Sequence, residues 1–194
     1  MNNSQDKGSA VILFGSPNKN GFTAKLTNEL ISQLKVYYAI SVVDSYNLNI
    51  NPCISCNYCI SHDSCFMPDF QNIDSLLKNA DLIIVASPVY NLGFPAPLKA
   101  LFDRMQPYFN ARFKRNTPVF FKKKTGILLL TCGAEKSKCE DIIVTQINMI
   151  FSILKTKLKF VVTMDKTDFS PNINNSLTQV RLICSNLKQV KNKN

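Results

Sequence analysis

Four of the chain's seven cysteines lie in one short segment, NPCISCNYCISHDSCFMP, which spans residues 51–68. They follow the spacing Cys-x2-Cys-x2-Cys-x5-Cys and are Cys53, Cys56, Cys59 and Cys65. Two residues between thiolates turn the chain so that successive sulfurs can face one centre, which suits the irons of a [4Fe–4S] cluster. Tetrahedral zinc more often uses separated Cys-x2-Cys pairs. Three interpretations stay open here: a cluster, a zinc site, and thiols that hold no metal or form an oxidised pair.

The compartment bears on this choice. The first residues are polar and lack the charged and apolar regions of an export signal, and no apolar run approaches the ~18 residues that cross a membrane. We therefore expect a cytoplasmic protein, in which structural disulfides are rare and clustered cysteines more often bind metal or do redox work. The chain's one histidine, His62, falls in the same segment, and we expect it to be solvated.

Positive charge is concentrated in one stretch of this chain, whose net charge is +10. Residues 111–124, ARFKRNTPVFFKKK, carry six Lys or Arg residues and no acid. Such a run could attract nucleic acid, an acidic redox partner or the extra phosphate of NADPH, but a solvated loop is the favoured interpretation. Because the sequence shows neither a groove-reading motif nor an aromatic stacking platform, we expect no nucleic-acid partner.

Short apolar runs alternate with segments of helical spacing along the chain. Strands are predicted at residues 9–16, 39–46, 81–88, 125–133 and 158–164, and helices at 23–35, 69–80, 96–105, 138–155 and 174–190. This order indicates an α/β fold in which a parallel sheet is covered by helices on both faces, and five strands suit the doubly wound order 2-1-3-4-5. We assign residues 1–8 to a disordered N-terminus, 9–190 to one domain, and 191–194 to a basic tail.

In such a sheet ligands bind outside the carboxyl ends of the strands, so three segments should meet there. Residues 15–23, GSPNKNGFT, run into a helix whose free N–H groups suit a phosphate, although an ordinary turn with Thr23 as N-cap is the alternative. Residues 87–104, SPVYNLGFPAPLKALFDR, place aromatic residues among Pro and Gly, as a flat ligand or a stiff connection would require. In residues 131–135, TCGAE, Gly133 would let the backbone approach a ligand.

Together these segments resemble the FMN-binding loops of the flavodoxin-like NADPH-dependent FMN reductase family, from about residue 9 to residue 135. The resemblance implies that the FMN phosphate is surrounded by Ser16, Asn18, Gly21, Phe22 and Thr23. It places along the isoalloxazine ring Pro88, Val89, Tyr90, Asn91 and Gly93, with Thr131, Cys132 and Gly133 on the other side. The family usually has Arg where Asn18 stands and Asn where Phe22 stands, so one charged phosphate contact is missing.

The cysteine segment resembles that of the family's iron–sulfur flavoproteins, which implies a [4Fe–4S] cluster on its four cysteines. The implied function is an FMN-dependent NAD(P)H oxidoreductase that passes electrons to a small-molecule or protein acceptor. With a cluster, single electrons would move between cluster, flavin and a partner such as ferredoxin, and the resemblance implies a homodimer or homotetramer. The flavin carries the chemistry, so no catalytic side chain is assigned. The alternatives are a flavodoxin-like electron carrier without a nicotinamide site and a zinc-stabilised binding module.

Overall fold

The computed structural model describes residues 7–191, which form a five-stranded parallel sheet in the order β2-β1-β3-β4-β5. The strands are β1 Gly8–Phe14, β2 Tyr38–Asp44, β3 Leu82–Pro88, β4 Lys124–Thr131 and β5 Thr156–Met164. This order confirms the predicted doubly wound sheet. Because the inner strands are covered on both faces, they are apolar at nearly every position, and β3 is buried throughout from Leu82 to Ser87.

Six α-helices within residues 7–191 cover the sheet: α1 Phe22–Leu34, α2 Gln71–Asn79, α3 Ala96–Asp103, α4 Gln106–Phe113, α5 Glu140–Ile153 and α6 Ile173–Lys191. Two hydrophobic clusters result. Helices α1 and α6 pack on one face of the sheet, where Leu30 of α1 and Val180 of α6 are fully buried. Helices α2 to α5 contribute to the cluster on the other face, with Leu101 of α3 and Ile147 of α5 fully buried. None of the helices in residues 7–191 combines the length and the apolar character needed to span a membrane.

Helix α4 was not predicted. The chain turns at Arg104 and Met105 after α3 and starts again with Pro107 in the first turn, where a missing N–H costs nothing. We predicted a solvated loop for the basic stretch 111–124, and residues 114–123 do form a loop that is exposed at most positions, but both ends of the stretch differ. Its first residues end α4, and Lys124 is buried at the start of β4 with its Nζ 5.0 Å from the centre of the Phe120 ring.

The predicted termini fall largely outside the described residues. Gly8, the last residue of the segment that we expected to be disordered, is instead the first residue of β1. Its N–H donates to the Tyr37 carbonyl at 3.0 Å. Residues 1–6 and 192–194 lie outside the part of the chain that the structure describes, and Lys191 of the expected tail is the last residue of α6.

The close packing of β4 on α5 yields a stability prediction. A Cβ at Gly126 would overlap the ring of Phe151, which is itself buried. We expect Gly126→Val to lower the free energy of unfolding by about 1–3 kcal/mol through overpacking, as measured by urea denaturation. Gly93→Ala is the control, because the nearest atom to its added Cβ is the Tyr90 carbonyl oxygen at 3.6 Å. Equal stability of the two variants would contradict this packing.

Candidate functional site

The three segments that follow β1, β3 and β4 lie side by side at the carboxyl edge of the sheet. After β1, the Gly15 N–H donates to the Ala86 carbonyl of β3 at 2.8 Å. After β3, the Val89 N–H donates to the Thr131 carbonyl of β4 at 2.8 Å. Neighbours β2 and β3 flank β1, so this is the point where the strand order reverses and where a crevice for a ligand is expected.

The segment 15–23 forms a tight loop that leads into α1. Ser16 is buried, and its Oγ lies 3.3 Å from both the N–H and the carbonyl oxygen of Asn18. Gly21 occupies the N-cap position, and no side chain of the described residues caps the helix. The alternative in which Thr23 caps the helix is therefore wrong. The first-turn N–H groups of α1 are left for an external acceptor, which is the arrangement that phosphate groups favour.

Thr23 instead joins the first segment to the third. It is buried, and its Oγ1 lies 2.8 Å from Oγ1 of Thr131 at the end of β4. Either hydroxyl could be the donor of this hydrogen bond. The contact fixes the start of α1 against the β4 edge, so two of the predicted binding segments are held together by side chains as well as by the sheet.

Lys19 is a cation beside this loop that sequence reasoning did not single out. Its Nζ donates to the Ser16 carbonyl at 3.1 Å and forms an ion pair with Asp44 at 2.5 Å. The ammonium also lies 4.8 Å from the centre of the Phe14 ring. The one signal in the sequence is the position of Lys19, which directly follows Asn18, where the family usually has an arginine.

The segment after β3 contains a strained two-residue turn. Tyr90 and Gly93 exchange backbone hydrogen bonds of 3.0 and 2.9 Å, and Asn91 and Leu92 between them have φ angles of 51° and 58°. Asn tolerates this left-handed conformation, but a bulky residue such as Leu92 rarely adopts it. Strain of this kind persists only where the surroundings fix it, and it is common at ligand sites. The turn leaves Tyr90 and Leu92 about half exposed.

The loop after β2 adds Tyr46, which the sequence reasoning missed. Burial and the neighbouring Tyr90 raise the pKa of Tyr46 above its ordinary value. Next to it, the buried Ser45 Oγ has no hydrogen-bond partner among the described residues. The available signal was topological, because β2 lies beside β1 and its end must reach the same edge of the sheet.

The segment after β4 is packed against its own chain. Cys132 is buried, its N–H donates to the Met164 carbonyl at 3.0 Å, and its Sγ lies 2.9 Å from Sγ of Cys139. Burial is the main cause that raises the pKa of the Cys132 thiol to about 12. A Cβ at Gly133 would overlap the Asp168 carboxylate, so the close approach that this glycine permits is made by Asp168.

The second part of the site is the cysteine loop. All four of its thiols are free, and they line one cavity of about 430 Å³ together with Arg104 and Asn110. Among the described residues, no three His, Cys, Asp or Glu side chains converge closely enough to hold a single metal ion. Tetrahedral zinc requires all its sulfurs at about 2.3 Å from one point, whereas a cluster spreads four cysteines over four irons. The four thiols thus share one cavity without forming a tetrahedral set among the described residues.

Arg104 closes this loop at both ends. The side chain is fully buried, its Nη1 donates to the Asn51 carbonyl at 2.8 Å, and its Nη2 donates to the Met67 carbonyl at 3.0 Å. The same Nη2 donates to Asp69 Oδ1 at 2.5 Å. Burial alone would lower the pKa of Arg104, but the hydrogen bond to Asp69 and the charges of Cys65 and Asp69 raise it.

Two further side chains hold the middle of the loop. Nδ2 of Asn110 donates to Cys59 Sγ at 3.1 Å. Arg115 Nη1 donates to the carbonyls of Cys59 and Ile60 at 2.6 and 3.1 Å, and its Nη2 pairs with Asp63 at 2.6 Å. We predicted a solvated Arg115, but its side chain is only 18% exposed because it is bound to the cysteine loop.

The histidine of the loop is exposed, in line with its expected solvation. The His62 ring stacks on Tyr58 with 3.8 Å between ring centres. Its Nδ1 lies 3.0 Å from the Tyr58 carbonyl oxygen. Both contacts are made to Tyr58 of the same loop, and His62 is not among the residues that line the cysteine cavity.

The fold and these loops together match a known family. Residues 9–155, more than half of the chain, match the family described as NADPH-dependent FMN reductase. The chain belongs to this family. The match includes the loops after β1, β3 and β4 and the whole cysteine loop, so the resemblance noted in the sequence is confirmed at the level of the family.

Two proteins that are similar in sequence to this chain are named iron–sulfur flavoproteins. One, from Archaeoglobus fulgidus, is 33% identical over 129 residues, which are 66% of this chain and 56% of that protein. Another, from Methanosarcina thermophila, is 37% identical over 131 residues, 66% of this chain and 65% of that protein. The chain thus spans between about half and two thirds of the length of these curated relatives.

A solved structure shares the fold over almost the whole chain. It is an NAD(P)H:quinone oxidoreductase from Methanothermobacter marburgensis, with a TM-score of 0.70 and 18% identity. The superposition covers 93% of this chain and 96% of that one. At this identity the likeness establishes the flavodoxin-like architecture.

The Arg104–Asp69 pair yields a prediction for acid stability. The hydrogen bond from Arg104 is the main cause that lowers the pKa of Asp69 below its ordinary 3.8. A group whose folded-state pKa is lowered stabilises the fold above its unfolded pKa, and this stabilisation is lost as the pH falls through the folded-state value. We expect Asp69→Asn to cost about 1.5–3 kcal/mol at neutral pH and to flatten the loss of stability below pH 3.8, as measured by urea unfolding at a series of pH values.

Asp103→Asn is the matched control for this experiment. Asp103 pairs with Lys99 on the exposed surface of α3, at 2.6 Å. Its replacement should change the free energy of unfolding by less than about 1 kcal/mol. If the two variants had the same pH profile, the buried pair would not contribute to acid stability.

Proposed function

We propose that the chain is an FMN-dependent oxidoreductase that takes electrons from NAD(P)H. The observation that carries this proposal is the convergence of an uncapped helix N-terminus, a strained aromatic turn and the β4 end at one edge of the sheet. Membership of the NADPH-dependent FMN reductase family supports it. The substrate that accepts the electrons is proposed only as a class, a small molecule or a redox protein.

The phosphate of FMN would be bound by the segment after β1. The residues proposed for this role are Ser16, Asn18, Gly21, Phe22 and Thr23. Backbone N–H groups at the start of α1 would supply most of the hydrogen bonds, since these groups have no side-chain cap among the described residues. Lys19 adds a positive charge close by, although Asp44 already neutralises part of it. A neutral cage of this kind binds phosphate through its donors rather than through an arginine.

The flavin ring would lie between the segments after β3 and β4. One side would be formed by Pro88, Val89, Tyr90, Asn91 and Gly93, and the other by Thr131, Cys132 and Gly133. The exposed faces of Tyr90 and Leu92 offer an apolar wall, and Tyr46 extends it. Bound FMN supplies the hydride and single-electron chemistry, so the chain needs only to orient the ring and limit the access of water.

The cysteine loop would hold a [4Fe–4S] cluster through Cys53, Cys56, Cys59 and Cys65. The residues present fit such a group, because four free thiols line one cavity and a buried arginine faces Cys65. Asn110 adds a hydrogen bond to the Cys59 sulfur, and bonds of this type tune the potential of a cluster. The names of the relatives from Archaeoglobus fulgidus and Methanosarcina thermophila support this assignment. A bound cluster supplies single-electron transfer.

The proposed setting follows from the same groups. Free clustered thiols and a cluster fit the reducing cytoplasm. With a cluster, an electron-transfer protein such as ferredoxin becomes a suitable partner, and a homodimer or homotetramer is proposed from the family. Neither nucleic acid nor a membrane is proposed as a partner.

The flavin site is tested by titrating the purified protein with FMN and following the quenching of flavin fluorescence. We expect saturable binding, and we expect NADH or NADPH to bleach the bound flavin. Thr23→Val should weaken binding roughly tenfold, because it removes the hydroxyl that meets Thr131 in a buried position. Thr178→Val, on the exposed side of α6, is the control.

Two results would count against the proposal. A protein that does not bind FMN would contradict the site itself. Bound FMN that neither nicotinamide nucleotide bleaches would instead favour the flavodoxin-like electron carrier.

The cluster is tested by iron and acid-labile sulfide assays after reconstitution without oxygen. We expect about four iron atoms per chain in the unaltered protein and a large loss of iron in Cys59→Ala. Cys184→Ala is the control, because Cys184 is a buried thiol of α6 outside the loop. Iron uptake that is equal in both variants, or zinc in place of iron, would contradict the cluster.

A further inference from the structure

The Arg104 guanidinium is a charged group deep inside the protein that the proposed electron transfer does not require. Its side chain has no exposed surface, whereas its partner Asp69 is 19% exposed. Burial of a charge is costly unless the group is paired and hydrogen-bonded. Arg104 meets this condition, because it donates hydrogen bonds to two backbone carbonyls and one carboxylate. The positions of these three partners in the chain indicate its role.

The two carbonyls belong to the first and last parts of the cysteine loop. Asn51 precedes Cys53, and Met67 follows Cys65. By binding both, one guanidinium fixes the distance between the two ends of the loop. Asp69 reinforces this closure, because its Oδ2 accepts hydrogen bonds from the Asn51 N–H and side-chain amide at 3.0 and 3.4 Å.

The loop itself has little internal structure to hold its shape. Its one helical turn is Tyr58–Ile60, and Ser55 and Asn57 before it have left-handed φ angles of 55° and 63°. Cys53 and Cys56 are exposed. A segment of this kind would sample many conformations if its ends were free, and each would have to be given up on binding a ligand.

We propose that Arg104 is a positioning residue that closes the cysteine loop and keeps its four thiols around one cavity before any cluster is bound. This inference rests on the proposed function, because it assigns the loop as a ligand set. The arginine acts from the turn between α3 and α4, so the shape of the loop is set by the core of the domain.

Arginine suits this role better than lysine. Its planar fork reaches three acceptors in fixed directions, whereas an ammonium group on a flexible stem cannot hold two carbonyls and a carboxylate with the same geometry. The Nε atom is buried without a hydrogen-bond partner among the described residues, and the guanidinium also interacts with Cys65. Thus the positive charge lies on the side of the cavity where thiolates would gather.

The test compares Arg104→Met and Arg104→Lys with the unaltered protein, first without metal. Limited digestion with chymotrypsin reports the state of the loop through cleavage after Tyr58 and Phe66. Cleavage after Phe151, which is buried in the core, reports global opening in the same sample. We expect loop cleavage to rise roughly tenfold in Arg104→Met relative to cleavage after Phe151, and Arg104→Lys to lie closer to Arg104→Met than to the unaltered protein.

Arg181→Met is the matched control. Arg181 pairs with Glu29 at 2.7 Å on the other side of the sheet, so its loss also removes an arginine–carboxylate pair without touching the loop. Its digestion pattern should equal that of the unaltered protein. A purely structural role for Arg104 would raise cleavage after Tyr58 and after Phe151 together, and that result would overturn the inference. If Arg104→Met does not fold, the ratio of loop cleavage to cleavage after Phe151 is measured in Arg104→Lys instead and decides the question.

Metal uptake separates this inference from the proposed function. After anaerobic reconstitution, we expect the Arg104 variants to retain less iron and sulfide per chain than the unaltered protein and Arg181→Met. If the unaltered protein takes up no cluster, the proposed cluster fails, while the digestion of the metal-free protein still decides whether Arg104 shapes the loop. Full iron uptake together with an unchanged loop in both Arg104 variants would overturn the role of Arg104 alone.

Discussion

The site depends on the fact that all strands of the sheet run in the same direction. Parallel neighbours cannot be joined by a short hairpin, so each connection must cross a face of the sheet and begins at the same carboxyl edge. At β1 and β3 the crossovers leave for opposite faces, since α1 packs in one hydrophobic cluster and α3 in the other. The connections that follow β1 and β3 separate at this point, and the space between them is the crevice into which the loops project.

Hydrogen bonds at this edge then hold the loops in place. The Gly15 and Val89 amides continue the ladder for one residue beyond the strands, at 2.8 Å in each case. The Thr23 and Thr131 hydroxyls add a side-chain link between α1 and β4. Because these hydrogen bonds fix the start of the connection after β3, Asn91 and Leu92 can adopt left-handed φ angles. The stability of the sheet offsets the conformational energy of this turn.

Much of the fold could be predicted from the sequence because it depends on local patterns. Buried strands appear as apolar runs, so the predicted segment 81–88 differs from β3 by one residue. Helix α4 was missed because its pattern is weak and ends in the basic stretch, where charge was given more weight than Pro107 as a start signal. The proposed flavin-binding residues came from the resemblance, and their adjacency followed from the strand order.

The contacts of the cysteine loop could not be predicted in this way. Arg104 and Asn51 lie 53 positions apart, and Asn110 and Cys59 lie 51 apart. Nothing local to an arginine or an asparagine reveals a partner at that distance. The same holds for Gly133, since its neighbour Asp168 comes from the segment after β5. Such pairs depend on how separate elements pack, which periodicity and composition do not record.

The cysteine loop is attached to the domain in an unusual way. It enters after β2 and leaves before α2, and its side-chain hydrogen bonds to the rest of the described chain run to Asp69 and to residues 104–115. None of these bonds involves a strand of the sheet. The segment is therefore a separate module that is held by helices and turns at one side of the domain. A designer could shorten it, transfer it to another protein or exchange its ligand residues without changing the crevice at the strand ends.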